Sequence, residues 1–188
     1  MIDEMAPGRS WLVVGRLAGA LLVLLTAAAC GGSGRTNGGL ARTDTATPSV
    51  SAKMVCAKEA VDDVYSTATG VQTVAAPKPT WVDHVYSCDY VYPRGAVMRL
   101  AVKELSNRAE TTAYYDGLAQ RLGKTKDQPA IGQGAFSTTD GSLVVRKDYK
   151  VLLVDVSKLP ARFGAPVQAR SDVAVAVGLT IMNCWKDV

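Results

Sequence analysis

Residues 81–103 read WVDHVYSCDYVYPRGAVMRLAVK, and this stretch decides the fold class. Trp81 to Tyr92 is rich in Val and Tyr, and it alternates. Tyr86, Cys88, Tyr90 and Tyr92 fall on one face, and Val85, Ser87, Asp89 and Val91 on the other, which is the period of a β-strand. Pro93-Arg94-Gly95 is a turn signal. Ala96 to Lys103 supplies the partner strand, with Met98, Leu100 and Val102 inward and Arg99 and Lys103 outward. Two such strands joined by a tight turn make an antiparallel hairpin.

The flanks add helices and a second hairpin. Val55 to Thr69 sets Ala57, Ala60, Val61, Val64, Tyr65 and Ala68 at helical spacing, and Gly70 ends it. Residues 71–80 hold Pro77 and Pro79 and read as loop. Asn107, with Glu110 three residues on, is a capping-box start. The helix it opens carries Thr111, Tyr115, Leu118, Ala119 and Leu122 on one face and stops at Gly123. Residues 123–130 are polar loop. Gly132-Gln133-Gly134 leads into a short strand at Ala135-Phe136. Asp140-Gly141 is a hairpin signal. Leu143 to Arg146 and Tyr149 to Val156 form the second hairpin, with Val151 to Val154 its most buried part. Pro160 to Pro166 is loop.

Val167 to Trp185 offers two readings. Val173, Val175, Val177, Leu179 and Ile181 alternate like a strand, but the length of the segment and Pro166 at its start favour a helix. Val173, Val177, Ile181 and Cys184 then share a face. The element order is α-β-β-α-β-β-β-α. It predicts an α+β fold, an antiparallel sheet of two hairpins with helices packed on one face.

Few catalytic chemistries fit these residues. His84 is the one histidine of the chain, which removes a Ser-His-Asp arrangement, an HExxH metal site and a zinc site of Cys/His type. Asp62, Asp63, Asp89 and Glu104 show no sign of a facing carboxylate pair. The GQG at residues 132–134 lacks the strand–helix context of a dinucleotide loop and reads as a turn. Cys184 stands among aliphatic residues, the setting of an inert buried thiol. The chain is therefore expected to be no enzyme, with no cofactor and no metal. Lys and Arg are scattered with no run of five or six, which excludes a nucleic-acid footprint. The tyrosines are the remaining candidates for a binding surface. Tyr86, Tyr90 and Tyr92 line one strand face, and Tyr114 and Tyr115 stand on the next helix. Such rings suit carbohydrate or protein recognition, and equally they are ordinary strand formers at a core margin.

The N-terminal region speaks of location. Leu17 to Ala29 is an apolar run of 13 residues, preceded by Arg9 and Arg16 and closed by three alanines, with Cys30 next. A basic start, a short apolar centre and a small-residue exit describe a secretory signal. An uncleaved span competes: Trp11 to Val14 would lengthen the run to 19 residues, with Gly15 and Arg16 interrupting it. Cys30 at the exit resembles the lipobox of bacterial lipoproteins. That resemblance implies cleavage between Ala29 and Cys30, a diacylglyceryl group on the Cys30 thiol, and a chain held at the extracytoplasmic face of the cell membrane. Residues 1–29 are then signal. Residues 30–52, rich in Gly, Ser and Thr, are a flexible tether, and residues 53–188 are one domain. Removing Asp3, Glu4, Arg9 and Arg16 with the signal leaves the net charge at +4.

With Cys30 acylated, Cys56, Cys88 and Cys184 remain in an oxidising compartment, enough for one bridge and one thiol. Cys56–Cys88 and Cys56–Cys184 are the leading pairings, and spacing does not choose between them. Over residues 54–185 the chain resembles small lipoproteins of actinobacteria such as mycobacteria and streptomycetes. The resemblance rests on the Cys30 signal, the tether, Cys56 opening a helix, Cys88-Asp89-Tyr90 in a strand, Ile131 to Phe136, and Leu143-Val144-Val145-Arg146. It implies a sensor-like α+β domain that binds a lipid, a glycan or an envelope protein without catalysis, and it favours Cys56–Cys88. The alternative is an accessory or structural subunit of a membrane transporter or signalling complex.

Overall fold

The computed structural model describes residues 47–185. The expected signal at residues 1–29, Cys30 and most of the expected tether at residues 30–52 lie outside the described residues. Order begins before Lys53, because Ser49 caps a short helix, α1 (Val50–Met54), its hydroxyl accepting from Ala52 N. The chain breaks at Val55 to Ala57 and resumes as α2 (Lys58–Val64), which runs into a π-helical turn at Tyr65–Thr69. The continuous helix expected over Val55 to Thr69 is thus a corner, a helix and a π turn. Gly70 ends it in the left-handed region at φ 60°.

Seven antiparallel strands follow in one sheet. They are β1 (Thr80–Val82), β2 (Val85–Val91), β3 (Val97–Glu104), β4 (Lys124–Asp127), β5 (Gly134–Thr138), β6 (Leu143–Lys147) and β7 (Lys150–Asp155), ordered β1-β2-β3-β7-β6-β5-β4. The expected hairpin is β2–β3, with Cys88 opposite Leu100 and Tyr90 opposite Met98. The run Trp81 to Tyr92 is two strands, not one. Asp83 and His84, at φ 49° and 59°, turn the chain back on itself between β1 and β2. The expected polar loop at residues 123–130 contains β4, whose four residues are all exposed and which pairs with β5. α3 (Arg108–Arg121) connects the two halves of the sheet. It starts at the predicted capping box, with Asn107 Oδ1 accepting from Glu110 N at 2.9 Å.

The fold class is α+β, as the sequence predicts. The layering differs from the expectation of helices on one face. Strand alternation sends Leu143, Val145, Leu152 and Val154 into one core with Val64, Val173 and Val177, under α1, α2 and α4 (Arg170–Cys184). It sends Phe136, Val144, Val151 and Leu153 into a second core under Leu118 of α3, on the opposite face. α3 shields only the β5–β7 half of that face. Beyond it Asp89 and Arg99 meet across β2 and β3 at 2.6 Å in solvent. The bound arginine holds the Asp89 carboxyl below its ordinary range.

Val167 does not begin α4. Residues 162–169 form a two-stranded flap, β8 (Arg162–Phe163) with β9 (Gln168–Ala169), and the helix starts at Arg170. Its predicted buried face is the observed one: Val173 and Val177 are fully buried, with Ile181 and Cys184 beside them.

Cys56 is bonded to Cys88, so the corner between α1 and α2 is fixed to the middle of β2. Cys184 stays outside this bridge, with its Sγ 3.5 Å from Asp63 Oδ2. Beside the bridge Tyr90 Oη donates to the Val55 carbonyl at 2.7 Å, and Val55 itself is fully buried. The bridged residues are 32 apart. Closing a loop of that length lowers unfolded-chain entropy by an amount worth about 3.5 kcal/mol. The Cys56→Ala, Cys88→Ala double variant should lose stability of that order in chemical denaturation. Tyr90→Phe should lose about 1–2 kcal/mol with the bridge intact, because it leaves the buried Val55 carbonyl without this donor.

Candidate functional site

The five candidate tyrosines do not form one surface. Tyr90 and Tyr92 are 0% and 1% exposed, enclosed between β2 and the helices above it. Burial pushes both hydroxyls up from their ordinary range. Tyr86 is half-buried against the same core. Tyr114 and Tyr115 belong to the other side of the sheet, against the smaller core. Tyr115 meets Phe136 edge-on at 5.0 Å and lies under the Arg146 guanidinium. Burial pushes its hydroxyl up to about 12. The strand period turns Tyr86, Tyr90 and Tyr92 toward the larger core, while Tyr114 and Tyr115 stand on α3 against the smaller one.

The other candidates are dispersed. His84 sits in the β1–β2 turn, edge-on to Trp81 at 5.8 Å. Asp62 pairs with Lys58, while Glu104 is buried and accepts from Ser49 N at 3.0 Å. Gly132-Gln133 is a turn leading into β5 at Gly134, with Gln133 N donating to Arg146 O. Among the described residues no group of three His, Cys, Asp or Glu side chains is placed to hold a metal ion. No helix among them is long and apolar enough to cross a membrane.

A groove of about 690 Å³ lies at one end of the sheet, where the sequence reading has turns and loops between the start of a strand at Ala96 and the start of a helix at Val167. Volumes of about 300–1,000 Å³ are typical of small-molecule sites. Three segments build it. The first is the β2–β3 turn, closed by Tyr92 N donating to Ala96 O at 2.8 Å, with Arg94 and Gly95 at positive φ. The second is the loop after β7. Arg170 Nη1 donates to the Ser157 and Leu159 carbonyls, both at 3.2 Å, and fixes it. The third is the β8–β9 flap, which brings Phe163 edge-on to Tyr92 at 4.9 Å.

The flap is held by the π turn. Thr69 O accepts from Ala165 N at 2.8 Å, and Ala68 O accepts from Gln168 Nε2 at 2.8 Å. Val71, just past Gly70, reaches the groove floor with Ala96, Leu159 and Phe163. Arg94, Lys158 and Arg162 are exposed on its walls, and no carboxylate among the described residues lines it. The signal that would have found this place is weak. It is a basic residue in each of three turns, beside an apolar Val167 that stays 59% exposed.

Comparison of the chain with protein-family models, curated proteins and solved structures finds no match.

Gly70 sets the seat of the flap. Its φ is +60°, and a Cβ there would come within 2.0 Å of the Ala165 carbonyl oxygen. Gly70→Ala should cost at least about 2 kcal/mol, with left-handed strain adding to the backbone clash. It should also speed hydrogen exchange at the Ala165 amide. Gly95→Ala is the control, because Gly95 has φ +76° but nothing within 4 Å. It should show only the strain, about 1–2 kcal/mol in denaturation.

Proposed function

We propose that this chain is a membrane-anchored lipoprotein of the cell envelope, and that its domain is a non-catalytic binding module whose binding surface is the groove at the β2–β3 turn. The groove is the observation that carries the reading. It joins an apolar floor to a few convergent polar groups, the usual make-up of a binding site. The burial of Tyr90 and Tyr92 speaks against the other arrangement, a flat aromatic face for docking on a membrane complex.

The placement of the groove supports the same reading. The chain enters the domain at Ser49, held by Glu104 at the far end of β3. The groove lies at the near end, beside Ala96. The 8 residues of β3 separate them, a distance of about 26 Å. The groove therefore lies at the end of β3 opposite Ser49. The apolar run Leu17 to Ala29, with Cys30 after it, supports the anchor.

The anchor is tested by mass and by partition. Native protein from membranes should begin at Cys30 and carry a diacylglyceryl increment. Cys30→Ala should retain residues 1–29 or be shed into the medium. A variant with the same start and the same membrane fraction as the parent would overturn the anchored reading.

A further inference from the structure

We infer that the groove takes a single-chain anionic amphiphile: an acyl or alkyl chain along its floor and a phosphate or carboxylate head on Arg94, Lys158 and Arg162. This rests on the reading of the groove as the binding surface. Charge is the first argument. Three cations share one groove, no carboxylate lines it, and none of the three forms an ion pair among the described residues. Like charges gathered without a counter-charge repel one another, and an anion relieves that repulsion. Two of the three are guanidinium groups, whose planar fork of N–H donors matches a phosphate or carboxylate.

The floor supplies the second argument. Val71, Ala96, Leu159, Phe163 and Val167 offer it no side-chain hydrogen bond, so the part of a ligand that rests there is apolar. Val167 is 59% exposed, an apolar side chain left for a ligand to cover. A glycan fits less well. The Phe163 ring is engaged by Tyr92 and half-buried, and no Asp, Glu or Asn lines the groove to accept from sugar hydroxyls. Free phosphate fits less well too, because it leaves the floor uncovered. Outside the lining, Lys158 helps lower the Asp89 carboxyl, whose bound partner is Arg99.

The test uses the full chain carrying Cys30→Ala, which removes its own acyl groups as competitors. Dodecyl phosphate, dodecyl maltoside and inorganic phosphate are each followed by equilibrium dialysis below micellar concentration. Dodecyl phosphate should bind at least about tenfold more tightly than the maltoside and about 100-fold more tightly than inorganic phosphate. The Arg94→Gln, Lys158→Gln, Arg162→Gln triple variant should bring dodecyl phosphate down to the level of the maltoside and leave the maltoside unchanged. All three side chains are exposed, Arg162 Nη2 also donates to Val167 O at 3.3 Å, and an unchanged thermal midpoint verifies that the variant folds. Ala96→Trp, which fills the floor, should weaken both dodecyl ligands. Equal binding of the two dodecyl ligands, unmoved by the triple variant, would overturn the anionic head and leave the groove as a binding surface. Inorganic phosphate binding as well as dodecyl phosphate would overturn the amphiphile. Neither dodecyl ligand binding would overturn this inference and the groove reading together.

Discussion

The Val55 carbonyl accepts from Tyr90 Oη at 2.7 Å, and the next residue, Cys56, is bonded to Cys88, two residues before that tyrosine on β2. A covalent bond and a buried hydrogen bond thus hold adjacent residues of one corner to one face of one strand. The rest of the helical layer is set from there. α2 leaves the corner, and its π turn offers the Ala68 and Thr69 carbonyls to the flap. The flap then closes one side of the groove. An error in the first placement would pass to each later one. This makes a disulfide near the chain entry matter to a groove at the other end of the sheet.

The π turn shows how a small irregularity is used. Gly70 N donates to Tyr65 O at 2.8 Å, five residues back, where an α-helix would pair it four back. Thr67 is tied to the fourth helix, its hydroxyl 2.7 Å from that of Thr180. One widened turn is therefore fastened to α4 on one side and to the flap on the other. Gly164, at φ 101°, lets the flap backbone come close to Thr69 O, where a Cβ would sit at 3.0 Å.

Much of the architecture was legible, and the failures have causes. The β2–β3 hairpin, the Asn107–Glu110 cap and the Asp140-Gly141 turn carry strong local chemistry, and local chemistry survives into the fold. The β1–β2 turn uses Asp83 and His84 in left-handed conformations, so no glycine marks it within the Val/Tyr run. β4 is a charged edge strand, exposed at every residue, and has no apolar alternation to detect. Consecutive apolar residues, Leu143-Val144-Val145 and Val151-Leu152-Leu153-Val154, were the sign that both faces of the sheet are covered. The tyrosine stripe had the right facing and the wrong exposure, because periodicity tells which residues share a face but not what lies over it. The groove was hardest to foresee: Arg94, Lys158 and Arg162 are far apart in sequence, and only the return of β3 beside β7 brings their loops together.

The position of the bridge also decides how the domain bears load. A pull on the N-terminal side reaches Ser49 first, then its bond to Glu104, then the single turn and a half of α1. At Cys56 it meets a covalent link into the middle of β2. Tension can peel off only the few residues before that link. Beyond it the force passes to β2, which is paired with β3 along its whole length and with the short β1 over Val85 to Ser87. The groove at the β2–β3 turn lies past this stop, so a tug on the leading end leaves its walls in place.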